Sequence, residues 1–263
     1  MKAFEIIKIG TKILKEKKIP SSILDSELLL SKTLNKTREE ILTNLNQKIE
    51  KKNILVFKNY LQRRSKNEPI AYIFQEKEFW GNKFYVNKNT LIPRPETEML
   101  VDKLSNIYKK KKISILDIGT GSGCIIISLL INLSNSYGLG IDISKKAIQL
   151  AKKNKIKYKL LNRLKLSTQS LDKIYGKKFD LIVSNPPYIR RYDIKNLSDD
   201  IKKYEPRMAL DGGNDGLDLI KKVIYKSKSI LKIKGMLALE IGNEQIKKVS
   251  KILIDNNFRI KHV

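Results

Sequence analysis

Asn185-Pro186-Pro187-Tyr188 is the stretch of this chain best equipped for chemistry at a planar nitrogen. It follows directly on Phe179-Asp180-Leu181-Ile182-Val183-Ser184, a run with the composition of a buried strand. Two prolines cannot continue a hydrogen-bond ladder, so the chain must leave the sheet at that strand's carboxyl end. Open α/β sheets bind their ligands at that edge. There Asn185 can accept from an NH2 group through its side-chain oxygen, Pro186 has a carbonyl to accept the second hydrogen, and Tyr188 offers a flat face. The set suits an sp² amide or amino nitrogen. The plain alternative is a Pro-Pro loop with a surface asparagine.

A second stretch lies upstream: Ile115-Leu116-Asp117-Ile118-Gly119-Thr120-Gly121-Ser122-Gly123. A hydrophobic strand runs into a glycine turn and then an apolar helix, so a ligand can approach the backbone closely and meet free helix-end amides. The Gly-x-Gly-x-Gly spacing differs from the Gly-x-Gly-x-x-Gly that seats a pyrophosphate, which favours a ligand without a diphosphate. Asp142 follows at the end of the next expected strand, where a carboxylate can accept from both hydroxyls of a ribose. Gly119, Thr120, Gly121, Ser122, Gly123 and Asp142 together predict an adenosine-containing ligand such as S-adenosylmethionine. Taken singly, the turn is an ordinary strand-to-helix connection and Asp142 a helix cap.

Around these motifs the hydrophobic periodicity predicts an α/β chain in two parts. From residue 95 onward strands alternate with helices, the pattern of a parallel sheet covered on both faces. Strands are expected at 113–118, 137–142, 164–167, 179–184, 236–241 and 258–263, and helices at 96–109, 122–133, 144–154, 217–231 and 244–256. Residues 1–66 read as short amphipathic helices: Ile6, Ile9 and Ile13 share a stripe, Ser22 offers a cap for 23–34, Thr37 and Glu40 have capping-box spacing, and a fourth helix is expected at 48–64. Between the parts, Phe79, Trp80, Phe84, Tyr85 and Val86 flank Gly81-Asn82, a hairpin signal. The division expected is a helical domain over 1–66, a hairpin linker over 67–94 and a doubly wound domain over 95–263. Trp80 is expected to anchor the hairpin, Cys124 to pack in the core and His262 to lie at the surface.

The two motifs together resemble the class I methyltransferases that act on planar nitrogens, either amines of DNA bases or glutamine amides. Glu68-Pro69-Ile70-Ala71-Tyr72, Glu78-Phe79-Trp80 and Leu91-Ile92-Pro93-Arg94-Pro95-Glu96-Thr97-Glu98 further resemble, in order and spacing, the HemK/PrmC family of release factor glutamine methyltransferases. So do Asp25-Ser26-Glu27-Leu28-Leu29-Leu30, Tyr204-Glu205-Pro206 and Gly213-Asn214-Asp215-Gly216-Leu217. The resemblance spans nearly the whole chain. It implies a class I (Rossmann-like) methyltransferase domain behind a small helical, substrate-recognising domain, with S-adenosylmethionine held by Gly119 to Gly123, Asp142, Ser170 and Asn185. It implies that Asn185, Pro186, Pro187 and Tyr188 hold the glutamine amide, that Asn185 and Pro186 carry the catalysis, and that the substrate glutamine lies in the Gly-Gly-Gln motif of class I peptide chain release factors, in support of translation termination. No metal is implied. Gln169 and Ser170 depart from the family, which usually has an aspartate and a bulky apolar residue there. The family also usually continues into one more antiparallel strand after the one expected at 258–263.

Composition narrows the remaining classes. Of 263 residues, 41% are apolar and 31% charged, a balance that can bury a proper core. The longest apolar run, 125–133, is broken by Ser128 and Asn132 and falls far short of the ~20 residues a spanning helix needs. Residues 1–9 contain Lys2, Glu5 and Lys8, unlike a secretory leader, and one cysteine permits no internal disulfide. A cytoplasmic monomer is expected. The net charge of +27 raises nucleic acid as a substrate, but arginine, the bidentate reader of phosphate and guanine, occurs nine times against 45 lysines. The charge is also spread evenly, +9 over residues 1–90 and +18 over the remaining 173. Abundant Lys, Ile and Asn together fit an A+T-rich coding sequence, and no direct nucleic-acid substrate is expected. Three rivals stay open: a glutamine methyltransferase of a large-subunit ribosomal protein, a DNA adenine-N6 methyltransferase, and a binding protein of the same fold without activity.

Overall fold

The computed structural model describes residues 1–176 and 178–263, which fall into two compact units. The first comprises Met1–Gln75 and Ser198–Tyr204. Its helices are α1 (Ala3–Glu16), α2 (Ser22–Leu34), α3 (Arg38–Leu42), α4 (Lys51–Arg64) and α5 (Ile70–Phe74). Ile6 and Leu14 of α1, Leu29 and Leu30 of α2, and Phe57 and Leu61 of α4 meet in one core. The capping box forms as expected: the Glu40 amide donates to Thr37 Oγ1 at 3.2 Å and the Thr37 amide to Glu40 Oε2 at 2.6 Å. The cap of α2 is Ser21 rather than Ser22, and its hydroxyl donates to Asp25 Oδ2 at 2.7 Å. Residues 48–50 do not join α4, because the Ile49 amide donates instead to the Met1 carbonyl. Tyr204 Oη donates to the Lys66 carbonyl at 2.9 Å within this unit.

The second unit comprises Glu76–Leu197 and Glu205–Val263. It opens with the hairpin of β1 (Glu76–Phe79) and β2 (Asn82–Tyr85). The turn residues are Trp80 and Gly81, one position earlier than the Gly-Asn signal suggested. This puts glycine at the second turn position, and Asn82 Nδ2 donates back to the Trp80 carbonyl. Next come α6 (Pro95–Ile107), β3 (Ser114–Ile118), α7 (Cys124–Asn132), β4 (Tyr137–Asp142), α8 (Lys145–Lys157), β5 (Leu164–Thr168) and β6 (Phe179–Ser184). α9 (Asp199–Tyr204) belongs to the first unit, and α10 (Asp218–Ile230), β7 (Leu231–Leu239) and α11 (Ile246–Asp255) complete the second.

The sheet is parallel, in the order β5-β4-β3-β6-β7. The chain enters at the central β3, winds out through β4 and β5, and crosses to β6 and β7 on the other side. The winding reverses between β3 and β6, the place where sheets of this kind have their ligand crevice, outside the carboxyl edge. β3, β4 and β6 matched the apolar runs closely, since a central parallel strand is buried on both faces. The strand expected at 258–263 is absent: these residues carry no regular structure, and all but Phe258 and Ile260 are exposed. Phe258 instead packs beside Val249 under α11, which draws the segment away from edge pairing. His262 is exposed, as expected. Among the described residues, no helix is long and apolar enough to cross a membrane.

Candidate active site

Register assembles the site. Ile118 of β3 pairs with Ile141 of β4 and Ser184 of β6, and Ser184 pairs with Leu239 of β7. The residues one step beyond are Asp142, Gly119, Asn185 and Glu240, which form a row across the carboxyl edge at the ~4.8 Å spacing of adjacent strands. Both sequence motifs thus come to one edge, on either side of the crevice.

The glycine turn is locked onto the end of β4. The Gly119 and Thr120 amides both donate to the Ile141 carbonyl at 2.9 Å, and the Gly121 amide to Asp142 Oδ2 at 3.0 Å. Gly119 and Gly121 have φ of +72° and +55°, and a Cβ on Gly119 would meet nothing within 4 Å. Only glycine takes this backbone without strain, and the space it leaves is open to a ligand. Asp142 Oδ1 accepts from the Ser144 amide at 2.8 Å, so each carboxylate oxygen keeps capacity for one more donor. Burial pushes the Asp142 carboxyl up from its ordinary range, against the pull of the Ser144 and Gly121 amides. The Ser122 carbonyl is held by Asn154 Nδ2 at 2.9 Å, and Gly123 caps α7. Beyond β5, the Gln169 amide donates to the Asp142 carbonyl, while the Ser170 hydroxyl is spent on Asp172 in its own turn. Cys124 packs against the core, where burial pushes its thiol up to about 12.

Sequence reasoning passed over Asp117. It is 1% exposed on β3; Oδ2 accepts from Thr120 Oγ1 at 2.6 Å, and Oδ1 has no partner among the described residues. Burial first, and then the charge of Asp142, raise its carboxyl to about 7. An orphaned buried acceptor beside two open glycines and a second carboxylate fits a ligand with hydroxyl donors and a positive charge, as S-adenosylmethionine has. The signal was present in the sequence, since a lone charge inside an otherwise apolar strand needs a reason.

On the other side of the crevice, Asn185 Nδ2 donates to Thr97 Oγ1 at 3.2 Å, and Thr97 Oγ1 donates to Glu240 Oε2 at 2.6 Å. Neither Asn185 Oδ1 nor the Pro186 carbonyl meets a donor among the described residues. Burial raises the Glu240 carboxyl, opposed by its bonds to Thr97 and Asn185. The head of α6 that carries Thr97 is tied down by Glu205, which accepts from Arg94 Nη2 at 2.6 Å and from the Ile92 amide at 3.3 Å. Tyr188 is held from behind by Gln245, whose Nε2 donates to the Tyr188 and Gly216 carbonyls at 3.0 Å and whose Oε1 accepts from the Gly242 amide. Pro187 lies against Gly212, where a Cβ would come within 2.7 Å of the Pro187 carbonyl. The burial of Tyr188 raises its phenol, as does the charge of Glu240.

Two family models match this chain, the PrmC N-terminal domain over residues 5–74 and a methyltransferase domain over residues 109–258. A release factor glutamine methyltransferase of Clostridium acetobutylicum is 41% identical over 254 residues, covering 94% of this chain and 88% of that protein. The chain belongs to the release factor glutamine methyltransferase family. A bifunctional methyltransferase of Rickettsia prowazekii is 38% identical over 91% of this chain, which spans 50% of that relative's length. A solved methyltransferase structure from Pyrococcus furiosus superposes with a TM-score of 0.53 at 18% identity, covering 78% of this chain and 90% of the other, which bears out the Rossmann-like fold. In this family member, the segments flanking Arg94 and Glu205, singled out above for their resemblance, meet in one ion pair at the head of α6.

Proposed function

We propose that this chain transfers a methyl group from S-adenosylmethionine to the side-chain amide nitrogen of the glutamine in the Gly-Gly-Gln loop of class I peptide chain release factors, in the cytoplasm and in support of translation termination. What carries this reading is the pair of unpartnered acceptors on consecutive residues, Asn185 Oδ1 and the Pro186 carbonyl, one strand away from the glycine turn. A primary amide has two N–H bonds on one nitrogen, and two adjacent acceptors satisfy both. The names of three relatives, release factor glutamine methyltransferases, support a release factor glutamine as the substrate.

S-adenosylmethionine supplies an electrophilic methyl group on its sulfonium. Gly119 to Gly123 would give it backbone to lie against, Asp142 would take the ribose hydroxyls, Asp117 would face positive charge, and Gln169 and Ser170 would lie toward the adenine. The amide nitrogen is a poor nucleophile, because its lone pair is delocalised into the carbonyl, so positioning must supply much of the rate. Asn185 and Pro186 hold both hydrogens and turn the lone pair toward the methyl, while Pro187 and Tyr188 cover the amide plane. As the N–C bond forms, the S–C bond breaks to a neutral thioether and positive charge develops on nitrogen. Both hydrogen bonds then strengthen, a stabilisation specific to the transition state. The nitrogen afterwards gives one of its two protons to water. Residues 1–66 recognise the release factor, 67–94 link, and 95–263 carry the transfer. The release factor is the partner, nucleic acid is not a substrate, and the chain acts as a monomer.

The test is methyl transfer from labelled S-adenosylmethionine to a release factor and to its Gln→Ala version. Label should enter the first alone; equal labelling of both refutes the reading.

A further inference from the structure

An asparagine amide has nearly the same shape at both ends and opposite hydrogen-bonding sense. A half-turn about its last bond would set NH2 against the substrate's NH2 and remove the acceptor that the proposed transfer needs. Something has to choose the orientation. We propose that Thr97 and Glu240 are positioning residues that hold the Asn185 amide with its oxygen toward the substrate nitrogen, an inference that rests on the function proposed above.

Proton counting supports this choice. Thr97 is 2% exposed and its hydroxyl has a single proton. Glu240 Oε2 lies 2.6 Å away, and an ionised carboxylate can only accept, so the Thr97 proton goes there. The Thr97 oxygen then has only lone pairs left to offer, and the Asn185 group facing it at 3.2 Å must be the donor, Nδ2. Oδ1 is thereby turned the other way. The polarity of the whole chain is set at Glu240, a carboxylate that follows β7 and accepts from Thr97 and, more weakly, from the Asn185 side chain. Arg94, a nearby cation, pairs with Glu205 at 2.6 Å and draws the Glu240 carboxyl downward against its burial, which favours the ionised, accepting form.

The three groups stand 88 and 143 residues apart in sequence, and three elements place them. Thr97 sits in the first turn of α6, which Pro95 starts and the Arg94–Glu205 pair anchors. Asn185 is released from β6 by the prolines behind it. Glu240 is fixed by its own amide, which donates to the Ser184 carbonyl at 3.0 Å, one residue before Asn185. Neither Thr97 nor Glu240 needs to touch the substrate.

Thr97→Val keeps shape and removes the hydroxyl, Thr97→Ser keeps the hydroxyl, and Glu240→Gln lets either end of an amide face Thr97. With the full chain and a release factor, kcat should fall by roughly 10- to 100-fold in Thr97→Val and Glu240→Gln. S-adenosylmethionine affinity should stay near wild type, and Thr97→Ser should restore most of the rate. The side-chain amide signal of Asn185, assigned in a nitrogen-15 spectrum by its loss in Asn185→Ala, should shift in Thr97→Val and in Glu240→Gln. That signal needs no substrate, so it judges the orientation even if the release factor is not methylated, an outcome that would overturn only the functional reading. Wild-type kcat in Thr97→Val, or an unmoved Asn185 signal in both variants, overturns the positioning role. Glu240→Gln carries the test alone if Thr97→Val does not fold.

Discussion

A buried carboxylate with an unpartnered oxygen costs the fold free energy, and Asp117 is such a group near the carboxyl end of β3. Its carboxyl titrates near 7 in the fold, against 3.8 for a free aspartate. Because the folded value is the higher one, the native state holds the extra proton between these values, and this group's contribution to stability falls as pH rises from about 4 to about 7. A positively charged ligand beside Asp117 favours the ionised form. Binding of S-adenosylmethionine near pH 6.5 should therefore release a proton from the wild type, and less from Asp117→Asn. Calorimetry in two buffers of different ionisation enthalpy measures the difference; equal release from both proteins would separate Asp117 from the ligand. At this scale the sequence was legible where a residue type has one use at one spacing, as in Asn185-Pro186-Pro187-Tyr188 and the Gly119 turn. Thr97, Glu240 and Gln245 were not legible, because their meaning lies in partners brought from distant segments, whereas Asp117 was legible as a lone charge in an apolar strand.

Elements were legible where burial imposes a pattern and illegible where packing alone decides. The apolar runs of β3, β4 and β6 could only be central strands, whereas α5 and α9 are five and six residues long and leave no period to detect. The strand expected at 258–263 had alternation, but Phe258 packs with Val249 and the segment does not join a sheet edge. The helical unit shows what a motif read only as resemblance does physically. In Asp25-Ser26-Glu27, Asp25 pairs with buried Arg64 at 2.7 Å, Ser26 Oγ donates to the Ile7 carbonyl, and Glu27 pairs with Arg38 at 2.6 Å, so three successive residues of α2 tie it to α4, α1 and α3. Close approach of α1 to α2 depends on Gly10, where a Cβ would fall on Ser26 Oγ and 2.8 Å from Phe57 Cζ. Gly10→Ala gains about 1 kcal/mol of helix propensity. Against that stands ~1–3 kcal/mol for overpacking a core whose Phe57 is itself fully enclosed. The clash should win, lowering the denaturant midpoint of the helical unit without altering S-adenosylmethionine affinity, and a raised midpoint would show that the helices separate freely.

Across the whole molecule, the charge of +27 is the feature with no local address. It is as dense over residues 1–90 as over the rest, and it resides in lysine, whose compact ammonium suits long-range attraction better than bidentate reading. Such a field speeds encounter with any acidic partner and selects among none. In the proposed function, selection then falls to short-range contacts, those of residues 1–66 with the release factor and those of Asn185 and Pro186 with its amide, whose acceptors are local and uncharged. The two contributions differ in range, and salt separates them, since the screening length is about 10 Å at 0.1 M and shrinks as salt is added. Raising salt should therefore weaken capture of the release factor, seen as a higher KM, while kcat, governed by the local hydrogen bonds, stays nearly constant. The affinity for S-adenosylmethionine, a small cation that gains nothing from a positive field, should not fall in parallel. Steady-state kinetics at several salt concentrations, with cofactor binding measured alongside, checks all three quantities. A release-factor KM that does not respond to salt would reduce the lysine excess to background composition, and a kcat that falls with KM would place part of the charge inside the catalytic step.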